Sequence, residues 1–305
     1  MVEAAYAGTK GTHVFAGTGG DYDPNQADVN GFGFTTTNQR KPFFQKFGWS
    51  QNLRYYGSDA RNNYHSLQLK FEKRFSSGLN MMSHYTWSKN IDYDGKYYLR
   101  DAKLARGVSS NNRAHVFFVA SLYEIPVGRG RKYMSGAAKP VDLILSGWQL
   151  NGTYSWMAGQ PITPSYRDCN ADRDTGWCRP DLVGDYHIND PSQFGWFATT
   201  SVPLTANGQI DGPWQRSLRG WFGTVGRNEV VGPSFSQWDM SFFKTFNITE
   251  QHLLQFRAES FNFLNHTNLA NPNTCVDCPG VAGRIFGAFA NYVPRQWQFA
   301  LKYQF

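Results

Sequence analysis

Hydrophobic and polar residues alternate over several stretches of the chain, and most cleanly over its last ten positions. Trp297, Phe299, Leu301, Tyr303 and Phe305 take every second place, and Gln296, Gln298, Ala300, Lys302 and Gln304 take the others. This is the period of a strand with two unlike faces. The same period places Leu67, Leu69, Phe71 and Phe75 opposite Ser66, Gln68, Lys70, Glu72 and Arg74, then turns at Ser76-Ser77-Gly78. Met81, Tyr85 and Trp87 return opposite Asn80, His84, Thr86 and Ser88, which predicts a hairpin over 63–75 and 79–89. A second hairpin is predicted around 247–250, with Leu254, Phe256 and Ala258 opposing Gln255, Arg257 and Glu259. Ile144, Ser146, Trp148, Leu150, Tyr154 and Trp156 mark another strand, and 114–125 reads as strand with no clear inner face. Val2, Ala4 and Tyr6 share one face of a first strand, which the run Gly8-Thr-Lys-Gly11 is expected to end.

The set is about eight strands, over 2–7, 63–75, 79–89, 114–125, 144–157, 236–247, 251–264 and 294–305. The connections between them alternate long and short. Short turns on one side and long loops on the other are the layout of an antiparallel transmembrane β-barrel, which places both termini on the periplasmic side. Lys70, Glu72 and Arg74 on one strand face suit a hydrated lumen, and equally the exposed face of a soluble sheet. The fold class read here is therefore all-β: a transmembrane barrel with long extracellular loops, its eight strands an arc of a larger barrel. The alternative is a secreted soluble β-sandwich serving as an adhesin or carbohydrate-binding module.

Composition sharpens this picture. Charged residues make up 17% of the 305 positions, aromatics 16%, and the mean hydropathy is −0.52. No apolar run reaches the roughly 18 residues of a spanning helix, whereas apolar surface spread over alternating strands fits a barrel. The net charge of +7 is scattered rather than gathered into a stripe, which argues against nucleic acid as a partner. The residues after Met1 lack the charged, apolar and small-residue succession of a signal peptide, so the sequence reads as a mature piece, a fragment or a truncated frame.

Candidate chemistry is sparse. The seven histidines have no ligand spacing, and no catalytic, metal or cofactor constellation is expected. The carboxylates from Asp168 to Asp174 lack the glycine and the closing glutamate of a calcium loop and read as a solvated acidic loop. Cys169 and Cys178, and Cys275 and Cys278, are close pairs in loop-like segments. They read as oxidised local staples, with a four-cysteine zinc site as the rival. Trp177, Trp196, Trp214 and Trp221 sit in an otherwise polar region, where they either stack on a ligand at the mouth or pack the loop on itself.

Stretches throughout the chain resemble the C-terminal half of the barrel of TonB-dependent outer-membrane receptors, in particular the Oar-like group that carries a carboxypeptidase-regulatory-like domain. They include Tyr6-Ala-Gly-Thr-Lys-Gly-Thr-His13, Asn63-Tyr-His-Ser-Leu-Gln68, Lys73-Arg-Phe-Ser-Ser-Gly78 and Tyr85-Thr-Trp-Ser-Lys89. Tyr123-Glu-Ile-Pro-Val-Gly128, Gly147-Trp-Gln-Leu-Asn-Gly152, Asp239-Met-Ser-Phe-Phe-Lys244 and Phe256-Arg-Ala-Glu-Ser-Phe-Asn262 continue the match. The resemblance implies a non-enzymatic receptor and transporter of the outer membrane, with residues 1–305 as barrel domain and no plug. Its partners would be outer-membrane lipid, the barrel-assembly machinery and a small-molecule or oligomeric ligand. The TonB complex joins them only if a plug with a TonB box is supplied by an N-terminal part. Trp297, Phe299, Leu301, Tyr303 and the terminal Phe305 would form the assembly signal. Such receptors have about 22 strands, and this chain offers about eight.

Overall fold

The computed structural model describes residues 1–15, 23–74, 78–93, 98–167, 178–199, 212–249, 251–290 and 292–305. Its strands in chain order are β1 (Val2–Val14), β2 (Ala60–Arg74), β3 (Leu79–Tyr93), β4 (Arg106–Val108), β5 (His115–Glu124) and β6 (Trp148–Met157). The short pieces β7 (Pro161–Ile162), β8 (Asp181–Leu182), β9 (Trp214–Gln215) and β10 (Val230–Val231) follow, then β11 (Phe235–Asn247), β12 (Leu253–Phe261) and β13 (Gln296–Gln304). Two short helices, α1 (Pro42–Phe47) and α2 (Lys139–Leu145), lie in connections. No helix among the described residues is long and apolar enough to cross a membrane.

Eight strands form one antiparallel sheet in the order β1-β2-β3-β5-β6-β11-β12-β13, with β4 added against the end of β3. Each neighbour in this path is also the next long strand in sequence, so the sheet is an up-and-down meander. The connections 75–78, 125–147 and 248–252 lie at one end, here the turn end; 15–59, 94–114, 158–234 and 262–295 lie at the loop end. Among the described residues β1 pairs only with β2 and β13 only with β12, so the sheet has two open edges.

Cross-strand partners share a face, and the registers therefore sort every side chain. Val2↔Phe71, Ala4↔Leu69 and Tyr6↔Leu67 join β1 to β2, and Leu69↔Tyr85 and Leu67↔Trp87 carry the row to β3. Tyr85↔Phe117, Phe117↔Trp156 and Tyr154↔Trp238 continue it through β5, β6 and β11. Phe242↔Ala258 and Ala258↔Phe299 end it on β13. The opposite face carries Glu3↔Lys70, Lys70↔His84, Asn151↔Ser241, Ser241↔Glu259 and Glu259↔Gln298. One face is apolar from edge to edge and the other is largely polar.

No second sheet covers the apolar face among the described residues. Trp297, Phe299, Leu301 and Tyr303 are 46%, 65%, 68% and 52% exposed, where a sandwich would bury them. The soluble-sandwich alternative is corrected on this ground. The hydrophobic core lies instead in the loop assembly, where Ile162, Tyr166, Phe197, Trp214, Val225, Val230 and Val276 are buried together.

Several strand boundaries differ from the sequence reading, and two of the differences have a clear local cause. The Gly8–Gly11 run does not end β1: Gly11 N–H donates to Asn62 Oδ1 at 2.9 Å, and pairing continues to a bulge between Thr12 and Val14, where His13 has φ 59°. At the other boundary, Ile144 belongs to α2 rather than to β6. Gly147, at φ 70°, separates the two, and a side chain there would meet the Thr245 carbonyl at 2.5 Å.

Candidate functional site

The apolar face has the composition of a lipid-facing surface. Tyr6, Trp87, Trp156, Trp238 and Trp297 lie towards its loop end, and Tyr123, Trp148, Phe246 and Tyr303 towards its turn end. Trp148 and Trp156 bracket β6, eight residues or roughly 27 Å of strand apart. With the tilt of barrel strands that length spans an apolar band about 25 Å tall, edged by aromatic girdles. Polar atoms on this face are satisfied locally. Tyr6, Tyr85 and Tyr303 hydroxyls share hydrogen bonds with the Nδ1 atoms of His65, His115 and His252 at 2.6, 2.7 and 2.7 Å. Each pair is diagonal between adjacent strands, two near the loop end and one at the turn end. Lys244 is buried, donates to the Ser146 carbonyl, and sits over the rings of Phe246 and Trp148 at 4.9 and 5.7 Å. These histidines act through strand register, which periodicity alone could not show.

The polar face carries local ion pairs and hydrogen bonds. Lys70 pairs with Glu72 at 3.4 Å and Glu3 at 3.9 Å, Gln237 donates to Asp239 at 3.0 Å, and Arg257 donates to Gln255 at 2.7 Å. These groups keep partial exposure, as a wet lumen requires.

The loop end holds the candidate ligand site. Trp214 is wholly buried: its ring meets Phe197 edge-on at 5.7 Å and stacks on Tyr186 at 5.6 Å. Its faces are occupied by packing, so it has no surface left for a ligand. Trp196 packs against the same core and donates to the Val231 carbonyl at 2.8 Å. Trp221, 68% exposed, borders a groove of about 440 Å³ with Phe34, Tyr98, Asp101 and Arg219, and Arg219 lies over the Phe34 ring at 5.4 Å. A larger cavity of about 640 Å³ lies between the loop ends of β2 and β3 and the segments around Gly159 and Asn228. Phe34 and Arg219 were not singled out by sequence, because a lone aromatic and a lone cation in separate loops carry no spacing signal.

Arg227 braces this assembly, donating to the Asp92 carboxylate across 135 positions of chain. Asn262 fixes the last loop, donating to the carbonyls of His266 and Val293 at 2.9 and 3.1 Å and accepting from His266 N–H at 2.9 Å. Arg113 donates to the Ala158 carbonyl at 2.8 Å, and burial lowers its pKa from the ordinary value. Tyr186 has its pKa raised by burial first, then by the negative charges of Glu229 and Asp185. Asp185 is held below the ordinary range chiefly by the His187 backbone N–H, with the His187 ring adding to it.

Cys275 and Cys278 form a disulfide with Cα atoms 5.5 Å apart. Together with Asp277 they gather three candidate ligand atoms, two sulfurs and a carboxylate oxygen, but bridged sulfurs cannot act as thiolate ligands, which removes the zinc reading for this pair. Cys178 is disulfide-bonded as well. Cys169, Trp177 and the carboxylates of 168–174 lie outside the described residues.

An antiparallel meander with one lipid-like face, one polar face and long loops at one end is the wall of a membrane β-barrel. Residues 1–298 match the family described as outer membrane beta barrel domain, and the chain belongs to that family. Among curated proteins no match is found. Among solved structures, the outer membrane transporter YddB from Escherichia coli aligns over 99% of this chain and 30% of its own, at 9% sequence identity and a TM-score of 0.44. The chain thus spans less than a third of the length of that transporter.

Proposed function

We propose that the chain is an arc of a larger outer-membrane barrel that carries a ligand from the loop mouth across the membrane. In this reading both termini lie on the periplasmic side. The observation that supports it most is the sheet itself, apolar on one face across eight strands, largely polar on the other and, among the described residues, open at both edges. Open edges in hydrocarbon leave backbone groups without partners, at several kcal/mol each. β1 and β13 therefore require further strands, from a second copy or from a longer chain. Eight strands closed on themselves would be filled by side chains, whereas a wider ring leaves an aqueous path. Dependence on TonB follows only where a plug with its TonB box is joined to this arc, and an Oar-like receptor is the reading that the sequence resemblance favours. The groove at Trp221, Phe34 and Arg219 offers the ligand an aromatic platform and a cation. It needs no chemistry of its own.

Cross-linking tests the arc. The double variant Ala4→Cys and Phe299→Cys places one thiol on each edge strand, on the same face. In reconstituted full chain, the proposal expects cross-links between copies or none. A product joined within a single copy means that the eight strands close on themselves, and contradicts it.

A further inference from the structure

The connection between β5 and β6 lies at the turn end, yet it is too long and too specifically folded for a plain turn. Its first part carries Arg129, Arg131 and Lys132, all exposed, and its second part is α2, which begins at Lys139. The helix buries no residue: Val141, Leu143, Ile144 and Leu145 are exposed, Ile144 at 64%. Tyr133 and Met134 between the two parts are exposed as well. So many exposed apolar side chains in one short connection would be unfavourable against water alone.

The two parts are one folded unit. The Asp142 carboxylate of α2 accepts the Arg129 backbone N–H at 2.6 Å, and Gly128 and Tyr133 exchange backbone bonds with Tyr133 and Pro126 at 2.9 and 3.0 Å. This unit is continuous with the lipid-facing surface. Trp148, the first outward residue of β6, donates its indole N–H to the Ile144 carbonyl at 3.0 Å, and Lys244 on the neighbouring strand donates to Ser146. The apolar side of α2 therefore extends the apolar face at the level of the turn-end girdle. Asp142 is the one carboxylate in 126–147, and with Glu124, which pairs with Arg131 at 3.5 Å, it faces the four cations Arg129, Arg131, Lys132 and Lys139, a net positive connection.

We propose that this connection is an interfacial anchor that lies on the membrane at the turn end and binds the headgroups of anionic phospholipid. Val141, Ile144 and Leu145, which share one face of α2, enter the boundary of the acyl region, and the cations meet the phosphates. Each cation at such a surface contributes roughly fivefold to partitioning. The inference rests on the outer-membrane reading but makes a separate claim about lipid charge.

Hydrogen exchange of the full chain in nanodiscs tests it, with phosphatidylcholine alone compared with a mixture containing phosphatidylglycerol. Amides of 133–146 should exchange about tenfold more slowly in the anionic lipid. Arg129→Gln, Arg131→Gln, Lys132→Gln and Lys139→Gln together should abolish that difference while 115–124 and 148–157 stay protected. Ile144→Asp should speed exchange of 139–146 in both lipids. Equal exchange of the native chain in the two lipids, or a lipid difference that survives neutralisation, overturns the anchor and leaves the barrel reading standing. Unprotected strands in both nanodiscs overturn the barrel reading and the anchor with it.

Discussion

Leu301 and Lys302 are adjacent in sequence and point to opposite faces of β13, and that opposition sets what substitutions there will do. Leu301→Arg places a charge near the middle of the apolar band and should cost about 2–4 kcal/mol of folding stability in lipid. Gln298→Arg, on the polar face, should change stability by no more than about 0.5 kcal/mol. Urea titration in phospholipid vesicles separates the two, and equal costs would count against a lipid-facing assignment. Asn262 illustrates a different economy at the same scale. It is buried, has φ 50°, and holds three backbone groups with one side chain. Asn262→Ala should destabilise by roughly 1–3 kcal/mol by urea unfolding, since buried donors and acceptors lose their partners. The alternation at 297–305 was legible in the sequence because period two needs no tertiary information. The Tyr6–His65, Tyr85–His115 and Tyr303–His252 pairs were not, because each depends on which residue of a neighbouring strand stands diagonally opposite. Trp214 was ambiguous for a similar reason, since an indole in a polar loop looks the same whether it is buried or presented.

Most elements followed from local pattern, and the exceptions have identifiable causes. β1 runs past Gly8 and Gly11 because Asn62 across the ladder supplies a side-chain acceptor that compensates for weak local propensity. α2 was hidden because Ile144, Ser146 and Trp148 happen to continue the alternation of β6, while the break rests on Gly147 alone. The loop assembly is the element with pH-sensitive packing. Tyr186 stacks on Trp214, and its pKa is raised by burial and by nearby negative charge, so the folded loop holds the phenolic proton more tightly than the unfolded loop does. The stability associated with it is present below the ordinary tyrosine pKa of about 10 and is lost as pH rises through the higher folded value. Near-UV circular dichroism should report loosening of the loop core in that alkaline window, and Tyr186→Phe should remove the transition. A transition unchanged in that variant would assign it elsewhere. The short loop closed by Cys275 and Cys278 should stabilise by about 2 kcal/mol in the chain-entropy account, so reduction should loosen this loop before the strands.

At the scale of the whole molecule, eight strands bury little between them, and the core sits in loops at one end. That distribution makes sense in a medium that is itself apolar, where the outward face needs no protein cover. It also explains why fold class was readable from the sequence while closure was not. Alternation reports which residues share a face, but the partner of an edge strand is set by strands at the far ends of a ring. The central claim is therefore about environment, namely that odd positions of β13 meet lipid and even positions meet water. Nitroxide labels placed singly at 297 to 304 in the full chain, reconstituted in phospholipid, measure it directly through collision with oxygen and with a polar nickel complex. The account predicts oxygen access at 297, 299, 301 and 303 and nickel access at 298, 300, 302 and 304. Loss of the alternation, or nickel access at 299 and 301, would contradict it.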